Sequence, residues 1–303
     1  MSDVLRSGMV AHPLPSPNEQ KMPRNFIIFF EEKEGTTAIV YALAEYHGVT
    51  VIHQTDDLGW EPFDRHNSGE MPLRRLRYCL ETLYSGSAID FDRLNSVYTQ
   101  TAMRPLASFG PSDVLGLKMR FKPPPRWQKA LPLTRWMFKK MMFALLKEHD
   151  IFAFVAVRQD VLKWALSKYH GDGSGRRGHL QFKVAQSVLD PSTLPKINVD
   201  LKEFEKLVQH CEHRHLMKHK LMDEFRAAGI GTAPLLYETF NTAREEFFQN
   251  FFSALGMPAP HIDPSKVRVK SQLKKVHSDD ISTFVANHEE VVSMFGDRFV
   301  RWA

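Results

Sequence analysis

A chain of 303 residues is long enough to bury a full hydrophobic core, and its 43% hydrophobic and 25% charged content is ordinary for a globular protein. The formal net charge of +5 suits a polyanionic ligand, but no zinc-finger spacing, RNP-like pattern or arginine–aromatic repeat accompanies it, so nucleic acid is not an expected partner. Two cysteines, Cys79 and Cys211, cannot build a disulfide framework, and no uncharged apolar run reaches membrane-spanning length. The expectation is a soluble, cytoplasmic protein with two free thiols and no stable membrane insertion.

Residues 1–23 carry Pro13, Pro15, Pro17 and Pro23 among polar residues and read as an irregular leader before a single domain over 24–303. Five apolar residues, Phe26 to Phe30, then read as a central strand buried on both faces. A short polar turn with Lys33, Glu34 and Gly35 follows. Ile39, Leu43 and Tyr46 next recur at helical spacing, with Thr36 and Thr37 at the helix start. A strand that passes through a glycine turn into a helix N-terminus can trap an anion, because the first-turn N–H groups lack helical acceptors and the helix dipole favours negative charge. The same junction also occurs without a ligand. It is not a Walker A loop, because the G-x-x-x-x-G-K-[ST] pattern is absent and Lys33 precedes the glycine.

Residues 49–53 read as a second strand, and the polar run after it, with Trp60, Glu61, Phe63 and His66, as a loop at a strand end. Helical character returns over 72–85 and 90–103, and a strand is expected over 114–119 after Pro111. Pro123, Pro124 and Pro125 interrupt regular structure. In the helix over 128–148, Trp136, Phe138, Met141, Met142 and Leu145 read as core or cover side chains. Residues 151–157 form another wholly apolar strand that ends at Arg158, and Asp160 reads as the cap of the next helix. The glycine- and arginine-rich stretch 171–178 is a basic surface connection or a lid.

Over 199–228, His210, Cys211, His213, His215 and His219 fall partly at metal-ligand spacing, but no Cys-x-x-Cys or H-E-x-x-H pattern backs a metal. They read as a solvated helix face, and no metal site is expected. A last strand over 233–238 leads into a helix with Asn241 as cap and Gly256 as stop, then a basic tail with Lys266, Arg268, Lys270, Lys274 and Lys275, and a helix over 280–295. Strands that alternate with helices make this an α/β domain with a central parallel sheet flanked by helices.

The combination resembles the sulfotransferases that use 3'-phosphoadenosine-5'-phosphosulfate (PAPS). Lys33-Glu34-Gly35-Thr36-Thr37 after the opening strand is similar to the family's 5'-phosphosulfate loop, whose common forms are Lys-Ser-Gly-Thr-Thr and Arg-Ser-Gly-Ser-Thr. Arg158 at a strand end, with Ser167 nine residues later, is similar to its 3'-phosphate motif, in the style of the bacterial and carbohydrate branches. Trp60-Glu61-Pro62-Phe63, with His66 soon after, is similar to a Glu-Pro segment of carbohydrate sulfotransferases, and residues 235–257 are similar to the family's late strand, Tyr-Glu turn and helix.

The resemblance implies a P-loop-like nucleotide-binding sulfotransferase fold and direct in-line O-sulfonation of a small metabolite, glycan or lipid, with 3'-phosphoadenosine-5'-phosphate (PAP) as product and no metal required. It places Lys33, Glu34, Gly35, Thr36, Thr37, Arg158 and Ser167 at the nucleotide, with Lys33 also stabilising the leaving oxygen. Glu61 is the preferred general base, with His53, Asp57, Asp64 and His66 as competitors. Trp60, Phe63 and His66 are expected at the acceptor. One departure stands out. Glu34 replaces the loop serine, and a carboxylate facing a phosphosulfate meets like-charge repulsion. Either it points outward onto a basic residue such as Arg24 or Lys33, or donor binding is weakened. The alternatives to an enzyme of this kind are a non-catalytic PAP- or PAPS-binding or scaffold protein of the same fold, and another phosphoryl transferase, against which the missing Walker lysine counts.

Overall fold

The structure is a computed structural model that describes residues 25–31, 34–43, 49–52, 114–120, 132–172, 196–257 and 280–302. Its centre is a five-stranded, all-parallel sheet. The strands are β1 (Phe26–Phe30), β2 (Val49–Ile52), β3 (Val114–Arg120), β4 (Phe152–Val157) and β5 (Thr232–Leu236), in the spatial order β2-β3-β1-β4-β5. β1 and β4 read as continuous apolar runs because both faces of the sheet are covered.

On one face Phe26, Ile28, Phe30, Phe152 and Phe154 pack on α1 (Thr36–Leu43) and on a phenylalanine-rich helix that follows β5. Phe251 of that helix stacks on Phe154 at 4.5 Å and meets Phe26 edge-on at 5.1 Å, geometries that favour aromatic pairs. On the other face Ile27, Phe29, Ala153, Val155 and Val157 pack on α2 (Pro132–Glu148) and on the long α4 (Leu201–Ala227). A third cluster joins α3 (Val161–Asp172) and α4 to the C-terminal segment through Trp164, Phe204, Val208, Val285 and Phe295.

Several local expectations hold and others shift. The Asp160 side chain accepts from the Lys163 N–H at 2.9 Å and caps α3 as expected. Gly256 adopts φ +74° and stops the late helix, with its own N–H and that of Met257 closing onto Ser253 and Phe252. That helix does not start at Asn241. It starts at Tyr237 and breaks at Ala243, whose φ −136° and ψ 61° are not helical, into α5 (Tyr237–Thr242) and α6 (Arg244–Ala254). The expected helix over 280–295 is likewise two pieces, a 3-10 turn at Ile281–Thr283 and α7 (His288–Phe295). Trp136 is exposed, not cover, with Lys140 5.0 Å over its ring, while Met142 and Leu145 are core. Among the described residues no helix is long and apolar enough to cross a membrane.

Candidate functional site

The order of the strands fixes where a ligand can enter. From β1 the chain passes to the edge strand β2 and returns to β3 beside β1, then crosses to β4 and β5 on the other side. The topological switch point therefore lies between β1 and β4. In open parallel sheets the crevice at such a point, beyond the carboxyl ends of the strands, is where ligands bind. The opening turn leaves the end of β1, and Arg158 leaves the end of β4, so the two motif segments flank one crevice.

Gly35 holds φ +74°, and its carbonyl accepts from Ala38 N–H at 3.0 Å and Ile39 N–H at 3.3 Å, which starts α1. The N–H groups of Thr36 and Thr37 precede any helical acceptor, so by geometry they face away from the helix. The Arg158 guanidinium donates from Nη1 to Ser167 Oγ at 2.9 Å, joining the two residues of the second motif across two turns of α3. Tyr237 stands between the segments. Its ring lies 5.2 Å from the Arg158 guanidinium carbon and occupies the space where a side chain on Gly35 would go. Glu238 then secures the Arg158 turn: its carboxylate accepts from Gln159 N–H at 2.9 Å and Asp160 N–H at 3.1 Å. Charge-assisted bonds to two successive backbone donors hold the strand end in one conformation.

Glu34 turns inward. It is buried, its carboxylate accepts from Glu31 N–H at 2.7 Å, and it forms an ion pair with Lys218, which is buried on α4. The carboxylate thus turns in onto Lys218 and not outward, while Arg24 and Lys33 lie outside the described residues. Glu31 is held the same way, by an ion pair to Arg214 and by Lys168 at 3.7 Å. Arg214 and Lys218 are four residues apart and so share one face of α4, from which they pair with Glu31 and Glu34. Burial pushes the Glu34 carboxyl up and the Lys218 ammonium down from their ordinary values, and each partner's charge opposes the shift.

The expectation of a solvated face on α4 holds for His210 and His213, which are exposed, but not for the residues that turn inward. Cys211, His215 and Lys218 are buried. Burial pushes the Cys211 thiol up to about 12, so it stays protonated. Burial, then the Lys218 charge, pushes His215 down to about 3, so it is a neutral core histidine whose Nδ1 accepts from Trp302 Nε1 at 3.2 Å. Among the described residues no group of three or more His, Cys, Asp or Glu side chains is placed to hold a metal ion.

Lys33, Trp60, Glu61, Phe63 and His66 lie outside the described residues, as do Cys79, residues 173–178 of the glycine-rich stretch and the basic tail. The residues around this candidate site that sequence reasoning passed over are Tyr237, Glu238, Lys168, Arg214 and Lys218. The first two sit in a segment already noted for its Tyr-Glu pair. The three cations had only an ambiguous signal, ordinary helical charge. Neither the models of known protein families nor the curated proteins give a match to this chain.

Proposed function

We propose that the protein is an O-sulfotransferase of P-loop-like sulfotransferase fold that moves the sulfonate of PAPS to a hydroxyl of a small metabolite, glycan or lipid. The observation that carries this is the convergence of the Glu34–Thr37 turn and the Arg158–Ser167 pair on one crevice at the β1/β4 switch point, bridged by Tyr237. A bisphosphorylated nucleotide needs an anion site at each end, and both segments have suitable chemistry. The turn offers backbone N–H groups at a positive helix end, and Arg158 offers a planar guanidinium oriented by Ser167. The inward pairing of Glu34 removes the like-charge repulsion that motivates a binding-only protein.

The bound donor supplies a sulfonate activated by its phosphate leaving group. The chain's part is to grip both ends of the nucleotide, to orient the acceptor oxygen and to stabilise the charge that grows on the departing oxygen. By resemblance Lys33 provides that stabilisation and Glu61 takes the acceptor proton. Trp60, Phe63 and His66 would form the acceptor side.

Calorimetric titration with PAP in magnesium-free buffer tests the reading. Binding is expected, and Arg158→Ala should weaken it roughly 10- to 100-fold, the scale of one or two charge-assisted hydrogen bonds. With PAPS and a panel of hydroxylated acceptors, a sulfonated product should be detectable by mass. No heat with the nucleotide would end the proposal, and tight binding with no transfer to any acceptor would leave the binding-only protein.

A further inference from the structure

The Lys218 ammonium, fully buried at mid-helix in α4, touches both sides of the crevice at once. It pairs with the Glu34 carboxylate on the turn after β1, and it donates to the Ala156 carbonyl at 2.6 Å, two residues before Arg158 on β4. A second tie runs parallel to it. Glu31, also on the turn, pairs with Arg214 of α4 and lies 3.7 Å from Lys168, the neighbour of Ser167 on α3. The Trp164 ring underlies both ammonium groups, 5.0 Å from Lys218 and 4.9 Å from Lys168.

From this geometry we infer that Lys218 is a positioning residue that sets the spacing between the Glu34–Thr37 turn and the Arg158–Ser167 pair, and so the distance between the two anion-holding ends of the site. The inference rests on the nucleotide reading above. A buried ammonium cannot exchange a lost partner for water, so sliding the end of β1 relative to the end of β4 would strand either the Lys218 charge or the Glu34 charge. The spacing is therefore stiff. For a ligand that engages both ends, the second contact is intramolecular, and its gain depends on how well the two ends are spaced. A ligand that engages one end is indifferent to that spacing.

This difference separates positioning from general structural support. Three nucleotides serve as probes in calorimetric titrations of the full chain: PAP, adenosine 5'-phosphate and adenosine 3'-phosphate. Lys218→Met is expected to reduce the affinity for PAP about tenfold or more, while each monophosphate changes by less than about threefold. Because that variant leaves Glu34 buried without its partner, Glu34→Gln/Lys218→Met is measured beside it. Neutral replacement of a buried pair is often tolerated, and the same selective loss is expected. A folded variant of either kind that keeps the wild-type ratio of PAP to monophosphate affinity overturns the inference. So does one that loses all three nucleotides alike, which marks a purely structural role. A wild-type chain that binds no PAP refutes the nucleotide reading itself, a result distinct from either of these.

Discussion

Gly35 adopts φ +74°, a region that costs an L-residue about 1–2 kcal/mol, and a Cβ added there would overlap the ring of Tyr237. Gly229 has the same φ with nothing within 4 Å of an added Cβ. The pair therefore separates backbone strain from steric exclusion. Gly229→Ala should cost about 1 kcal/mol in chemical denaturation, and Gly35→Ala about 3 kcal/mol or more; under the proposed function Gly35→Ala should also lose PAP binding and Gly229→Ala should not. Adding Tyr237→Ala to Gly35→Ala should return the steric part and leave the strain. Equal costs for the two glycine substitutions would show that the Tyr237 ring does not restrict Gly35. The need for a glycine at this turn was legible in the sequence from its strand–turn–helix setting. The ring that fills the space was not, because Tyr237 lies about 200 positions further along the chain and only the β1/β4/β5 adjacency brings it there.

The element that Arg158 belongs to is clamped from two directions. Glu238 of α5 accepts from Gln159 and Asp160 N–H, and the C-terminal segment adds Val300 N–H to Gln159 carbonyl at 3.0 Å and Val161 N–H to Arg298 carbonyl at 3.1 Å. Asp200 performs similar chemistry at the exposed N-terminus of α4, accepting from Lys202 and Glu203 N–H. Asp200→Ala should cost the ordinary ~1 kcal/mol of a lost helix cap. Glu238→Ala leaves two less exposed donors unmatched at once and should cost about 3 kcal/mol, with Glu238→Gln between them because one amide oxygen remains. Denaturation midpoints at constant m-value measure the three, and a Glu238→Ala cost no larger than that of Asp200→Ala would mean that water replaces the carboxylate freely. At this scale the sequence was informative where burial is two-sided. The apolar run at 26–30 is a strand and that at 151–157 holds one over Phe152–Val157, and the Asp160 cap and Gly256 stop sit as expected. It was uninformative where a charge has a distant partner. Arg214 and Lys218 look like solvated helical cations until the strand order brings Glu31 and Glu34 beneath them. The early start of α5 at Tyr237 was hidden for the same reason, since Glu238 in its first turn finds its backbone donors at Gln159 and Asp160, far along the chain.

Across the whole molecule, His215 is where α4, α3 and the C-terminus meet. Its ring meets Trp164 edge-on at 5.2 Å, its Nδ1 accepts from Trp302, and Trp302 stacks on His219 at 3.6 Å. Burial is the main reason its pKa falls to about 3. The Lys218 and His219 charges push the same way, while the Arg158 carbonyl and the Glu31 carboxylate oppose them. In the unfolded chain the same histidine titrates near ~6.5. Between those values the unfolded state binds the extra proton, so stability rises with pH and is lost on acidification, by at most ~1.4 kcal/mol per pH unit for one such group. His219, also lowered by burial, adds a smaller term of the same sign. Most carboxylates remain ionised between pH 6.5 and 5, so that window isolates the histidines. Wild type should lose about 1–2 kcal/mol across it in urea unfolding. His215→Gln keeps an acceptor for Trp302 and removes this one titration, so over the same range its slope should fall to the smaller part left by His219 and the other shared groups. Since the two proteins share every other titrating group, parallel slopes would mean that His215 takes up its proton in the folded state, and that the junction it occupies admits water.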